Sequence, residues 1–197
     1  MFTRRSLFRS VAVPFAAGTA AVPALASTSV PTGGRRRFPN VTLLTQDNQR
    51  VRFYDDLVKD KIVMFNFFYV SCTGICPAST ANLVKVQRVL GNRVGRDIFM
   101  YSISLKPRED HPAQLKEYQE MHGIAAGWTL LTGKPDDCEL LRRRLGFADS
   151  DPVRDRVVGN HIGLVVYGNE RLDRWAACPA QTEPTEIVKY LSWMDCS

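Results

Sequence analysis

Residues 62–69 read Ile-Val-Met-Phe-Asn-Phe-Phe-Tyr, an apolar run interrupted only by Asn66. A strand with one wet face alternates polar and apolar residues. A strand with no alternation is covered on both faces, as in the interior of an α/β sheet. The flanking segments agree with that reading. Val41 to Leu44 and Val51 to Phe53 surround the turn signal Asp47-Asn48, predicting a short hairpin. Ser79 to Leu90 carries Leu83, Val86 and Leu90 at helical spacing and ends at Gly91. Ile98 to Leu105 alternates as a strand, and Asp110 is placed to cap a helix that runs to His122 and closes at Gly123. Trp128 to Leu131 reads as a short strand, and Pro135 to Leu145 as a helix with Pro in its first turn. Gly163 to Tyr167, a turn at Gly168-Asn169-Glu170 and Arg171 to Trp175 make a second hairpin, and Thr185 to Trp193 a last helix. Strands alternating with helices imply right-handed crossovers and parallel neighbours, whereas the terminal hairpins add antiparallel strands. The expected fold class is therefore α/β, a three-layer sandwich on a central mixed sheet with an N-terminal and a C-terminal hairpin.

The formal charge of +6 does not describe a basic surface. Arg4, Arg5 and Arg9 lie in an N-terminal segment without acids, and without them 23 of the 26 lysines and arginines face 20 acids. Arg35, Arg36 and Arg37 account for the excess that remains. A near-neutral body argues against nucleic acid as a partner. Residues 1–26 read as an export signal. Thr3 to Arg9 is a charged stretch whose paired arginines suggest the twin-arginine route, Val11 to Val22 is apolar, and Ala24-Leu25-Ala26 is a small-x-small cleavage pattern. The apolar run is shorter than the roughly 20 residues needed to span a bilayer. Membrane association is expected only if this segment is retained. Residues 27–37, rich in Ser, Thr, Pro, Gly and Arg, read as a linker, and residues 38–197 as one domain of about 160 residues. Export implies the periplasm, an oxidising compartment in which the five cysteines can pair or meet metals.

Chemistry concentrates where the apolar run ends, in Ser71-Cys72-Thr73-Gly74-Ile75-Cys76-Pro77. Ligands of open α/β sheets bind at the carboxyl ends of strands. Two thiols four positions apart at such an end can close on one soft metal ion or on each other, and the residues alone leave both chemistries open. A helix N-terminus should lower the pKa of Cys76 if that residue precedes the helix, and Pro77 suits a first helical position. The three-residue spacer is wider than that of thioredoxin-type redox motifs, and no second Cys pair completes a four-thiolate zinc site. Two thiolates with one imidazole suit copper in either oxidation state. His161, between Gly159 and Gly163 at the approach to a strand, is the candidate third ligand. His111 and His122 sit about 16 Å apart at opposite ends of one helix and cannot share a metal; both read as solvated. Cys138, Cys178 and Cys196 have no assigned pairing. Trp128, Trp175 and Trp193 read as core or rim aromatics, and Arg142-Arg143-Arg144 as a solvated helix face.

Three features together resemble the Sco/SenC copper-binding proteins. They are Cys-x3-Cys-Pro after an apolar strand, the segment Tyr101-Ser102-Ile103-Ser104-Leu105-Lys106-Pro107-Arg108-Glu109-Asp110, and a His that opens a late hairpin. The resemblance covers Val41 to Trp193. It implies a thioredoxin-like fold, copper bound by Cys72, Cys76 and His161, and a Cys72–Cys76 disulfide in the oxidised form. It also implies a metallochaperone whose recipient is a cytochrome oxidase subunit with a dinuclear copper site, or a protein that keeps that site's thiols reduced. The alternative is a thiol-disulfide oxidoreductase acting on partner cysteines through the same pair. A peroxidase on this fold is disfavoured because Tyr69 stands where a Thr is expected. The chain also departs from the family's usual pattern. Thr73-Gly74-Ile75 includes no acid between the cysteines, and Asn160 stands where an Asp often precedes the His. Fewer carboxylates should weaken Cu(II) more than Cu(I). A signal with a small-x-small cleavage pattern also stands where the family commonly has a membrane tether.

Overall fold

A computed structural model describes residues 38–160 and 163–195. The signal segment 1–26, the linker 27–37, His161 and Cys196 lie outside the described residues.

β1 (Thr42–Thr45) and β2 (Arg50–Arg52) form the expected hairpin, with Asn48 at the left-handed φ of 57° that a tight turn requires. A single π-helical turn, Phe53–Val58, then buries Phe53, Tyr54, Leu57 and Val58. β3 (Ile62–Phe68), β4 (Ile98–Ser104) and β5 (Trp128–Gly133) are the parallel centre of a seven-stranded sheet ordered β2-β1-β5-β4-β3-β6-β7. β6 (Leu164–Asn169) and β7 (Arg174–Pro179) are antiparallel, as is the β1–β5 pair on the other side.

The run that predicted a doubly covered strand is one. Met64 and Phe68 join the core beneath α1 (Ile75–Leu90), α2 (Pro112–Met121) and α5 (Pro184–Trp193). Val63, Phe65 and Phe67 join the opposite core, beneath α3 (Pro135–Arg144) and the π-helical turn. Neighbouring residues of a strand face opposite ways, so both sides of β3 bury large side chains, each contributing about 1.5–3 kcal/mol. Asn66, the polar interruption, accepts at 2.5 Å from Ser102 Oγ, which in turn accepts from Trp128 Nε1 at 2.8 Å. The expected three-layer thioredoxin-like sandwich is present.

Local boundaries differ in instructive ways. α1 begins at Ile75 rather than Ser79, so Cys76 is its second residue and Pro77 its third. Pro is tolerated there because the first four helical amides have no intrahelical acceptor. Asp110 does not cap α2. Pro112 takes the first helical position and holds His111 in extended backbone as the cap residue. The C-terminal hairpin turns through Glu170–Leu172 and Asp173 at φ 47°, not through Gly168. Gly168 instead pairs with Trp175 inside the ladder, where a Cβ would collide with the Arg174 carbonyl and the indole ring. No helix among the described residues is long and apolar enough to cross a membrane.

Candidate functional site

The cysteine loop grows from the carboxyl end of β3. The last rung there is the Leu105 amide donating to the Phe68 carbonyl at 2.7 Å. Beyond it the Cys72 amide turns back onto the Tyr69 carbonyl at 3.2 Å, and α1 opens three residues after Cys72. Cys72 and Cys76 are both buried, and neither is in a disulfide. Gly74 lies over the pair, and a Cβ there would stand at ordinary contact distance, 4.0 Å, from Cys72 Sγ.

The two sulfurs are not equivalent, and their order is the reverse of the expectation from the helix dipole. Burial pushes the Cys76 thiol up to about 12, and its hydrogen bond with Cys72 adds to the rise. Burial acts on Cys72 in the same direction, but there it is outweighed. The Cys76 thiol, the amides of Cys76 and Gly74 and the Tyr69 hydroxyl all donate to the Cys72 sulfur and bring it below the ordinary thiol range. Loose amides at a helix start stabilise the anion they point at. Cys76 lies within the first turn, and those amides reach Cys72. Tyr69 is pushed up to about 12, first by its bond to Cys72 and then by burial.

A second layer comes from the loop between β4 and α2. Lys106 Nζ lies 4.8 Å from the Tyr69 ring centroid, 3.5 Å from Ser71 Oγ and 3.2 Å from Glu109. Asp110, only 2% exposed, accepts from the Val70 amide and the Ser104 hydroxyl. The sequence signal at Asp110 pointed to a helix cap; its partners are 40 and 6 residues away and the local pattern does not name them.

Among the described residues no group of three or more His, Cys, Asp or Glu side chains is placed to hold a metal. His111 is exposed at the start of α2, while His122 packs on Tyr118 at a centroid distance of 4.1 Å, half-buried rather than solvated. Gly163, two residues after His161, lies against the first residue of α1, where a Cβ would collide with the Ile75 side chain. Cys138 in α3 and Cys178 in β7 are buried and free, so neither pairs with the other nor with the loop cysteines.

The arginine triplet is not a uniformly solvated face. The Arg142 side chain is 11% exposed and forms ion pairs with Asp155 at 2.6 Å and Glu139 at 2.7 Å, while its guanidinium also donates to the Phe147 carbonyl. These pairs wall a cleft of about 250 Å³ between α3 and residues 149–158. Of the tryptophans, Trp128 is core, Trp175 meets Phe38 edge-on at 4.6 Å, and Trp193 is 56% exposed.

A thioredoxin-like sheet with a buried Cys-x3-Cys pair at the carboxyl end of a central strand defines a class, proteins that present two converging thiols at a strand-to-helix junction. Within that class this chain belongs to the SCO1/SenC family, whose model matches residues 36–189. The SCO1 protein homolog of Bacillus subtilis is 29% identical over 93 residues, and the match spans about half of each chain, 47%. Among solved structures, the copper-bound ScoI of Bradyrhizobium japonicum superposes with a TM-score of 0.63 at 22% identity, covering 78% of this chain and 96% of that one. BsSco, a Sco-family cytochrome c oxidase assembly protein in which a disulfide switch has been identified, gives 0.63 at 21% identity, covering 78% and 90%.

Proposed function

We propose that this protein carries copper, held by the thiolates of Cys72 and Cys76 and an imidazole nitrogen of His161, and passes it to a recipient protein. The recipient fits a cytochrome oxidase subunit during assembly of its copper site, as the family's assembly proteins suggest. Export by the residue 1–26 segment would put residues 38–197 in the periplasm. The observation that carries the reading is the convergence of two buried, unbridged thiols on one hydrogen-bonded point. Soft sulfur donors favour copper, and three protein donors leave room for an incoming ligand of the partner. Gly163 abuts Ile75, and two residues of backbone reach at most about 7 Å, so an imidazole from position 161 can meet Cys76, the next residue along. Transfer then proceeds by ligand exchange. The partner's donors bind as the protein's let go, and the thiols must be reduced for loading.

The test is titration of the reduced protein with Cu(I) and with Cu(II), repeated on His161→Ala and Cys72→Ser. One equivalent bound, weakened by either substitution, is the expected result. Wild-type binding no stronger than that of a Cys72→Ser, Cys76→Ser double variant would sink the reading.

The unequal thiols favour a second reading, a thiol-disulfide reductase. The Cys72 thiolate attacks a partner disulfide, forming a mixed disulfide and releasing a partner thiolate that takes up a proton. Cys76, once deprotonated, displaces the second partner sulfur, so the partner ends as a dithiol and the pair as a disulfide. Rapid reduction of a protein disulfide, unaffected by His161→Ala, would select this reading.

A further inference from the structure

We infer that Asp110 is the positioning residue of the cysteine loop, acting through the Val70 amide to hold the Cys72 sulfur under its donors. β3 loses its strand partner after Phe68, where the Leu105 amide makes the final rung. The next outward amide on that side belongs to Val70, and no strand is there to receive it. The Asp110 carboxylate occupies that place, with both oxygens 3.3 Å from the Val70 nitrogen. It is locked in turn by Ser104 Oγ at 2.6 Å, and that hydroxyl accepts from the Lys106 amide at 2.9 Å. Backbone bonds from Glu109 and Asp110 to the Lys106 carbonyl, both 2.9 Å, close the loop that carries the carboxylate.

The leverage comes from where Val70 sits in the chain. Tyr69, on one side, supplies a hydroxyl to Cys72, an amide to Cys76 and the carbonyl that receives the Cys72 amide. Ser71 and Cys72 follow on the other side. Fixing the Val70 amide therefore fixes the segment from Tyr69 to Cys72, including the turn that the Cys72 amide makes onto the Tyr69 carbonyl, while the Gly74 and Cys76 amides come from the helix start. Burial disfavours the charged form of Asp110, and the hydrogen bonds from Ser104 and Val70 offset part of that cost. The β4–α2 loop thus lends β3 one extra rung made by a side chain, and the metal or disulfide chemistry is built on top of it.

The inference rests on the site reading above only for its metal readout, so the first measurement needs no metal. In the reduced protein, trapping with iodoacetamide and peptide mapping gives the ratio of Cys72 to Cys76 labelling. Asp110→Ala should lower that ratio about tenfold toward parity, and Asp110→Asn, which keeps an acceptor for the Val70 amide, should stay within about threefold of wild type. Cu(I) affinity should fall about 10–100-fold in Asp110→Ala, the range for partners that orient ligands, with substantial recovery in Asp110→Asn. A folded Asp110→Ala protein with a wild-type labelling ratio would overturn the inference. If that variant does not fold, amide exchange in the wild type decides: a Val70 amide that exchanges as fast as an unprotected one overturns the role, and a protected amide that Asp110→Asn retains supports it. A wild type that binds no copper would remove the proposed cargo, while the labelling ratio still judges Asp110.

Discussion

Two strand-to-helix junctions stand at the same end of the sheet, and each delivers a buried cysteine into the first helical turn. At one, β3 leads to Cys76, the second residue of α1; at the other, β5 leads to Cys138, the fourth residue of α3. Burial pushes both thiols up to about 12. What differs is the loop. Between β5 and α3 only Lys134 intervenes, and Cys138 packs among apolar side chains with Asp137 raising it further. Between β3 and α1 six residues intervene, enough to fold Cys72 back under the helix amides and the Tyr69 hydroxyl. A helix start therefore does not by itself make a reactive thiol. The loop that aims its amides does.

The hardest test of that contrast is to remove one cysteine from each junction. Cys72→Ser should weaken Cu(I) binding by more than about a hundredfold, beyond the range seen for residues that merely orient ligands. Cys138→Ser should leave copper binding unchanged and instead cost about 1–3 kcal/mol in urea unfolding, because a hydroxyl without a partner replaces a packed thiol. Equal copper loss in both variants would erase the distinction between the junctions.

The second junction carries its own polar network, one helical turn along α3 from Cys138, and it serves stability. Arg142 and Asp155 tie α3 to the four-residue helix α4 (Pro152–Asp155), with side chains 11% and 7% exposed. Asp155→Ala should destabilise the protein by about 1–3 kcal/mol, below the range for a fully buried pair because Arg142 keeps Glu139 and the Phe147 carbonyl. Hydrogen bonding to Arg142 and to the Asp149 amide holds the Asp155 carboxyl well below the usual carboxylate range. The unfolded chain therefore takes up a proton there before the folded chain does. The stabilisation is whole above about pH 5 and declines as the pH falls further. Unfolding midpoints of wild type and variant measured from pH 7 down to pH 3 should converge in acid, and a constant gap would refute the assignment.

The architecture was legible because burial period and turn chemistry are local. An unbroken apolar run named β3, Asp47-Asn48 named the first hairpin, and Pro135 named the start of α3. The cysteine pair was legible too, since its spacing is read directly. What could not be read was who touches whom across the fold. Asp110 has the sequence look of a helix cap, yet Pro112 moves the helix start and frees the carboxylate for Val70. Arg142 sits in a run of three arginines, and nothing local tells that one of them is enclosed by Asp155, 13 residues on. The relative acidity of Cys72 and Cys76 depended on the helix beginning at Ile75, a boundary that Pro77 and the β-branched Thr80 obscure. Gly168 looked like a turn because its neighbour Asn169 does form one, while the glycine itself makes room for Trp175.

The smallest expected effect is also the sharpest probe of what sets the first junction apart. Tyr69→Phe removes one of the donors to Cys72 and leaves the amides of Gly74 and Cys76 in place. The hydroxyl is one of four groups that donate to this sulfur, so its loss should cost about 0.5–1.5 kcal/mol of thiolate stabilisation; alkylation of Cys72 at neutral pH should slow about two- to tenfold and its pH midpoint should move upward. Cys138 serves as the internal reference, because no hydroxyl contributes to its shift and its labelling should not change. Lys106, whose ammonium faces the Tyr69 ring, keeps a phenylalanine face to rest on, so the loop should hold its position. If Cys72 reacts as fast in Tyr69→Phe as in wild type, the Cys76 thiol and the helix amides account for its acidity without the hydroxyl. The difference between the junctions would then reduce to the length of the loop that lets a sulfur reach those amides.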